Sequence, residues 1–275
     1  MQNFIKTSEF DKHIMPALKS DDMFKNIMQL NGKVFRSVKG RKTLQIEMDG
    51  RRYFIKQHFG VGWAEIFKNL FTLKLPIIGA KTEKCAIEKL NQIGIPTTPL
   101  VAFGERGLNP ATRQSFLITE DLGNIISLED FCSNWLEHQP SAALKESLII
   151  AVATLAKKLH RAGLVHRDFY LCHLCLDRDL LEKGHFKLYL IDLHRMTIKK
   201  FRTGNSVMKD IAALYFSAMD LGLTNNDIAL FKQHYGKNFP EVFWHNVKKR
   251  ANKLYQKYHS EKFQKRLNNE RIRAD

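Results

Sequence analysis

Leu164-Val165-His166-Arg167-Asp168-Phe169-Tyr170-Leu171-Cys172-His173 is the stretch on which the fold of this chain turns. Upstream of it, the apolar spacing of Ala142–Arg161 predicts a long helix ended by Gly163. A carboxylate at Asp168 suits the acceptance of a proton from an attacking hydroxyl, and His173, five residues on, offers a second group to a metal-bound phosphate. A His-Arg-Asp triplet by itself arises too often by chance to decide anything. Its neighbours along the chain decide.

Towards the N-terminus, Val34–Val38, Leu44–Met48 and Tyr53–Lys56 read as strands, separated by turn signals at Val38-Lys39-Gly40 and Asp49-Gly50. Together they make an antiparallel meander whose third strand ends in Lys56. Residues 63–73 switch to helical spacing, and Pro76 is expected to close that helix. A second helix is expected from Thr82, as N-cap, to Gln92, with Gly94 beyond it. On that helix Ala86, Ile87 and Leu90 mark a buried face that turns Glu83 towards Lys56. Further strands are expected at Leu100–Phe103 and Ser115–Thr119. Beyond the opening stretch, Leu188–Leu193 is a short apolar strand carrying Asp192, and Asp210 opens a helix expected over Lys209–Leu221.

Lys56, Glu83, Asp168, Asp192 and Asp210 thus occur in one order, each on its own kind of element, and this order resembles that of protein kinases. The expected fold class is α+β, a bilobal protein-kinase-like unit with an antiparallel-sheet N-lobe at 1–119 and a helical C-lobe at 120–275. The resemblance implies Asp168 as the base, Asp192 with His173 as ligands of Mg²⁺, and Lys56, held by Glu83, on the α- and β-phosphates of ATP. Glu120, at the end of the last N-lobe strand, falls where adenine docks; a solvated linker carboxylate is the alternative. Asp210 falls where such folds brace the catalytic loop. The pattern also departs from protein kinases. No Gly-x-Gly-x-x-Gly follows the first strand; a basic turn with Lys39, Arg41 and Lys42 stands there, as phosphate ligands or as a solvated hairpin tip. His173 replaces an Asn and is a softer donor than Mg²⁺ usually takes. Asp192-Leu193-His194 lacks the glycine that follows in protein kinases.

Composition narrows the setting. The chain has 275 residues, 44% of them hydrophobic, enough for a substantial core. Its longest uncharged stretch, Leu90–Gly104, contains Pro96 and Pro99 and is too short to span a bilayer, and residues 1–12 show no secretory signal. Four scattered cysteines do not make a disulfide framework. Cys172-x-x-Cys175 lacks the second ligand pair of a zinc site, so the expectation is buried, unbonded thiols. The formal charge of +16 points to anionic partners. Lys248–Asp275 alone carries ten Lys or Arg against three acids, but no nucleic-acid reader motif accompanies it, so nucleic acid is not expected as a partner. The stripe of Trp63, Ile66, Phe67, Leu70 and Phe71 is expected to be core, with an interfacial anchor as the alternative.

The whole chain, finally, resembles the lipopolysaccharide core heptose(I) kinases of Gram-negative bacteria. The likeness rests on Gly32-Lys33-Val34-Phe35-Arg36, Gly60-Val61-Gly62-Trp63-Ala64-Glu65-Ile66, Ala102-Phe103-Gly104-Glu105-Arg106-Gly107, His166-Arg167-Asp168 to His173, Ile191-Asp192-Leu193-His194-Arg195 and Lys209 to Ser217. It implies ATP-dependent phosphorylation of the first heptose of a lipid-linked core oligosaccharide. It implies a cytoplasmic protein, peripheral to the inner-membrane surface, with acyl carrier protein as a partner. A kinase of the same fold acting on another sugar, a small molecule or a protein remains an alternative, as does a pseudokinase that only binds.

Overall fold

The computed structural model describes residues 2–18, 22–38, 40–71, 79–198, 204–236 and 239–272. Two compact units emerge. The first is Met1–Asn124 with Leu190–Met196; the second is Ile125–Tyr189 with Thr197–Asp275.

The first unit is built on strands β1 (Gln2–Lys6), β2 (Lys33–Val38), β3 (Arg41–Met48), β4 (Arg51–His58), β5 (Leu100–Arg106) and β6 (Gln114–Glu120). They form an antiparallel sheet of order β1-β5-β6-β4-β3-β2. Asp49 and Gly50 both adopt left-handed backbone, φ 51° and 68°, and the register closes on Met48 opposite Arg51. That two-residue loop has the twist that β3 and β4 need, which is why Asp-Gly marks it in the sequence.

One sheet face packs Leu44, Ile46, Tyr53, Ile55, Phe116 and Ile118 against Phe10, Ile14, Phe24 and Ile27 of the N-terminal segment and helix α1 (Met23–Met28). Helix α3 (Lys81–Gln92) buries Glu83, Ala86, Ile87 and Leu90. It starts after Ala80 rather than at a Thr82 cap. The Ala80 N–H donates to Ser115 Oγ at 3.0 Å, so a strand residue, and not the helix's own side chain, ties down that end.

Helix α2 (Gly62–Phe71) corrects the expectation of a core stripe. Ile66 is buried, but Trp63 and Phe67 are each 50% exposed and Phe71 is 87% exposed. Helical spacing shows that an apolar face exists, not what covers it. Pro76 lies outside the described residues.

The second unit begins with β7 (Ile125–Ser127), α4 (Leu128–Phe131) and the long α5 (Ala142–Arg161). Ser141 caps α5 through the Leu144 N–H at 3.3 Å, and Gly163 follows its end with φ 76°. Then come β8 (Leu164–Val165), β9 (Leu174–Asp177), α6 (Arg178–Glu182), β10 (Leu188–Leu190) and β11 (Thr197–Ile198). The helices α7 (Gly204–Ser217), α8 (Asn225–Gly236), α9 (Glu241–Tyr258) and α10 (Glu261–Ile272) complete the unit. α5 packs on α8, and α7 on α9. Between them lies an apolar cavity of about 400 Å³ whose wall includes Leu171, three residues past Asp168. β10 is shorter than the expected Leu188–Leu193, because Asp192 turns left-handed and a 3₁₀ turn follows. Among the described residues, no helix is long and apolar enough to cross a membrane.

Candidate active site

Within the first unit, register places the functional side chains. Arg36, Thr43 and Lys56 lie in one cross-strand row, and Val38, Arg41 and His58 in the next. Lys56 and His58, two residues apart on β4, project from the sheet face opposite Ile55 and the core. Lys56 Nζ meets Glu83 Oε1 at 2.5 Å, as the helical face of α3 led one to expect.

Arg41 begins its strand directly after a tight turn. Gly40 has φ 79°, its carbonyl accepts the Phe59 N–H at 2.9 Å, and a Cβ there would stand 2.5 Å from the Gly60 carbonyl oxygen. Backbone packed this closely tolerates only glycine. The Arg41 pKa is lowered by burial first and then by the neighbouring Arg36 charge, while Asp192 and Glu83 act in the opposite sense. Lys39 lies outside the described residues.

Asp192 also belongs to this unit. Its segment is tied down by the Leu190 N–H donating to the Pro96 carbonyl at 2.9 Å and by the Thr97 hydroxyl donating to the Leu190 carbonyl at 2.6 Å. Asp192 itself has φ 59° and ψ 56°, and its Oδ1 lies 2.5 Å from His194 Nδ1. Among the described residues only Asp49, Arg167 and Asp192 are non-glycines with left-handed backbone. The first closes a hairpin; Arg167 precedes the expected base Asp168, and Asp192 is itself an expected site residue, places where such strain tends to be kept.

Glu120 is placed differently from the other expected groups. It pairs with Tyr53, whose hydroxyl donates to Glu9 Oε1 at 2.7 Å, so its side chain lies on the core face of the sheet. Burial, then the Glu9 charge, raise its pKa. The sheet separates that carboxyl from Lys56.

In the second unit Asp210 organises the loop. Its Oδ2 accepts the His166 N–H at 2.7 Å and its Oδ1 the Arg167 N–H at 2.9 Å. His160 adds a contact from Nε2 to the same Oδ2 at 3.2 Å, and its Nδ1 meets the Tyr235 hydroxyl at 2.9 Å. Asp210, His160 and Tyr235 are all buried, and Arg167 is held at φ 74°. Asp168 follows, half-buried, and its carbonyl accepts from both the Tyr170 N–H (3.0 Å) and His173 Nδ1 (2.7 Å). With a carbonyl oxygen as partner, His173 Nδ1 is the donor in that bond. The Leu171 N–H donates to Ser217 Oγ at 3.0 Å, fastening the next turn of the loop to α7.

Mg²⁺ fits the donor chemistry. Among the described residues, no three His, Cys, Asp or Glu gather as for a protein-made metal cage. Mg²⁺ needs none, since it takes one or two carboxylates and completes its shell with phosphate oxygens and water. Cys172 and Cys175 form no disulfide, and burial, followed by Asp130, pushes the Cys175 thiol up to about 11, which disfavours a thiolate ligand. Cys172 is half-buried rather than fully so.

Sequence reasoning missed His58, His194 and the His160–Tyr235 extension of the Asp210 brace. His58 was signalled by its two-residue spacing from Lys56; the others depend on tertiary contact and carried no signal.

The family model described as the lipopolysaccharide kinase (Kdo/WaaP) family matches residues 25–235. The lipopolysaccharide core heptose(I) kinase WaaP of Pseudomonas aeruginosa is 42% identical over 246 residues, covering 86% of this chain and 91% of that protein. Its namesake in Escherichia coli K12 is 44% identical over 228 residues, 82% of this chain and 86% of that one. A solved structure of WaaP in complex with acyl carrier protein superposes with a TM-score of 0.77 at 35% identity, covering 92% of this chain and 99% of that chain. The expected α+β kinase-like fold class is borne out.

Proposed function

The chain belongs to the lipopolysaccharide kinase (Kdo/WaaP) family, and on that premise we propose that it transfers the γ-phosphoryl group of ATP to a heptose hydroxyl of the lipopolysaccharide inner core. The Asp168 carboxylate accepts the proton of the acceptor hydroxyl as its oxygen forms a bond to the γ-phosphorus. The bond from that phosphorus to the β–γ bridging oxygen breaks, and ADP leaves with the electron pair. Lys56, oriented by Glu83, sets a positive charge against the α- and β-phosphates. Asp210 holds two loop amides, so that Asp168 sits on backbone that cannot drift. Asp192 and His173 are the residues to hold Mg²⁺, which when bound neutralises phosphate charge. The Glu120 carboxyl, on the core face of the sheet, leaves only its main chain to serve a nucleotide base.

The observation that carries this reading is the 2.5 Å Lys56–Glu83 pair on the sheet face that also bears Arg41. Incubation with Mg²⁺, ATP and lipid-linked core lacking phosphate should yield a phosphomonoester on the first heptose, located by ³¹P NMR and fragment mass spectrometry. ATP hydrolysis without a phosphoester, or a phosphate on another sugar, would overturn it.

The acceptor is lipid-linked and anionic, which suits a +16 protein lying at the cytoplasmic face of the inner membrane. Acyl carrier protein, present with the solved relative, is proposed as a partner here on the strength of that likeness.

A further inference from the structure

The pairing of β4 with β6 runs from Tyr53, opposite Glu120, to His58, opposite Ser115, and Arg41 of β3 lies across from His58. If the base of ATP lies at the Glu120 end, as the kinase reading has it, Phe54, Lys56 and His58 follow one another from base to terminal phosphate. Two strand residues span about 7 Å, enough for His58 to stand one phosphate or more beyond the contacts of Lys56.

The chemistry at that end of the strand is incomplete without an anion. His58 is 5% exposed, and its Nδ1 is buried with no hydrogen-bond partner among the described residues. Burial first, and then the charges of Arg41, Lys56 and His194, hold the imidazole well below its ordinary range, at about 4. Glu83 is committed to Lys56, and the Asp192 carboxylate to His194, whereas Arg41 forms no ion pair with a described carboxylate. A half-buried guanidinium and a buried orphan imidazole nitrogen on one sheet face are costly to keep unless something anionic meets them.

We propose that His58, together with Arg41, seats the γ-phosphate of the nucleotide, taking on this sheet face the part that backbone amides of a glycine-rich loop play elsewhere. The role rests on the kinase reading of Lys56 and extends it to a residue outside the recognised motifs. Arg41 is held at that spot by the Gly40 turn packed on Gly60. His58 donates one hydrogen bond to a phosphate oxygen, its ring gaining charge as the phosphate arrives.

The γ-phosphate is the difference between ATP and ADP, so the test is their relative affinity. Titrations of Mg²⁺–ATP and Mg²⁺–ADP should show His58→Leu binding ATP about 10-fold or more weakly, the span of a hydrogen bond to a charged group, with ADP within about twofold of the parent. His58→Asn, whose amide nitrogen stands near the place of Nδ1, should recover most of the ATP preference. Arg41→Met should show the same selective loss, and carries the test should His58→Leu not fold. Parental ATP affinity in His58→Leu, or equal weakening of ATP and ADP, overturns the assignment. Lys56→Ala is the separate arm: it should weaken both nucleotides, and if it weakens neither, the nucleotide-site reading itself fails, whatever His58 does.

Discussion

Asp168→Ala should lower turnover about 10²–10⁴-fold, the span of a general base, while leaving ATP affinity near that of the parent. Steady-state kinetics set against nucleotide titration separates the two, and near-normal turnover would sink the role. His58 gives a second expectation at this scale, in stability. Its folded pKa, about 4, lies below the ordinary 6.5, so the unfolded chain binds the proton more tightly between those values. The stability that neutral His58 contributes is therefore complete above pH 6.5 and is lost as pH falls towards 4. By order of magnitude the loss is about 3 kcal/mol. Denaturant unfolding at pH 6.5 and 4.5 should show a smaller difference in His58→Leu than in the parent; equal differences would mean that the imidazole is not held neutral. Lys56, Glu83, Asp168, Asp192 and Asp210 could be read from the sequence because each sits at a fixed offset from a turn or helix end. His160 and Tyr235 could not, because His160 meets Asp210 from α5, Tyr235 meets His160 from α8, and nothing local marks either.

The hairpin between β3 and β4 was legible because Asp-Gly permits few alternatives, and α5 because its apolar period runs for twenty residues between a serine cap and a glycine. α2 shows where this legibility ends. Its stripe has the period of a core helix, yet Trp63 and Phe67 stack on each other, with centroids 5.7 Å apart, in solvent. Trp63→Ser with Phe67→Ser should accordingly cost less than about 1 kcal/mol, against roughly 3–5 kcal/mol for emptying a core aromatic site. Chemical unfolding of the double variant measures this, and a loss in the upper range would restore the core reading. The end of β10 is instructive in the same way. An apolar run predicted a strand through Leu193, but a left-handed Asp192 stops it, and no propensity scale places an aspartate there. Just before it, Leu190 is fastened to Pro96 and Thr97, contacts that the local sequence does not announce.

Across the whole molecule the dominant fact is charge. α9 buries Phe243, Trp244, Val247 and Ala251 and exposes Lys248, Lys249, Lys253 and Lys257, giving it one basic side. Each such lysine near an anionic bilayer contributes about 1 kcal/mol, fading over a Debye length of about 8 Å at physiological salt. Co-sedimentation with anionic vesicles is expected at low salt and not with neutral ones. Reversing Lys248, Lys249, Lys253 and Lys257 to Glu should release the protein; binding indifferent to salt would instead implicate the aromatics of α2. The discontinuity of the first unit has a consequence in time. Leu190–Met196 belongs with Met1–Asn124, but residues 125–189 lie between them in the chain. At about 5–20 residues per second, a ribosome takes about 3–13 s to make that interval. Until then the nascent first unit has its sheet but lacks the Leu190 carbonyl for Thr97 and the carboxylate of Asp192, and it cannot be finished by the residues that precede it.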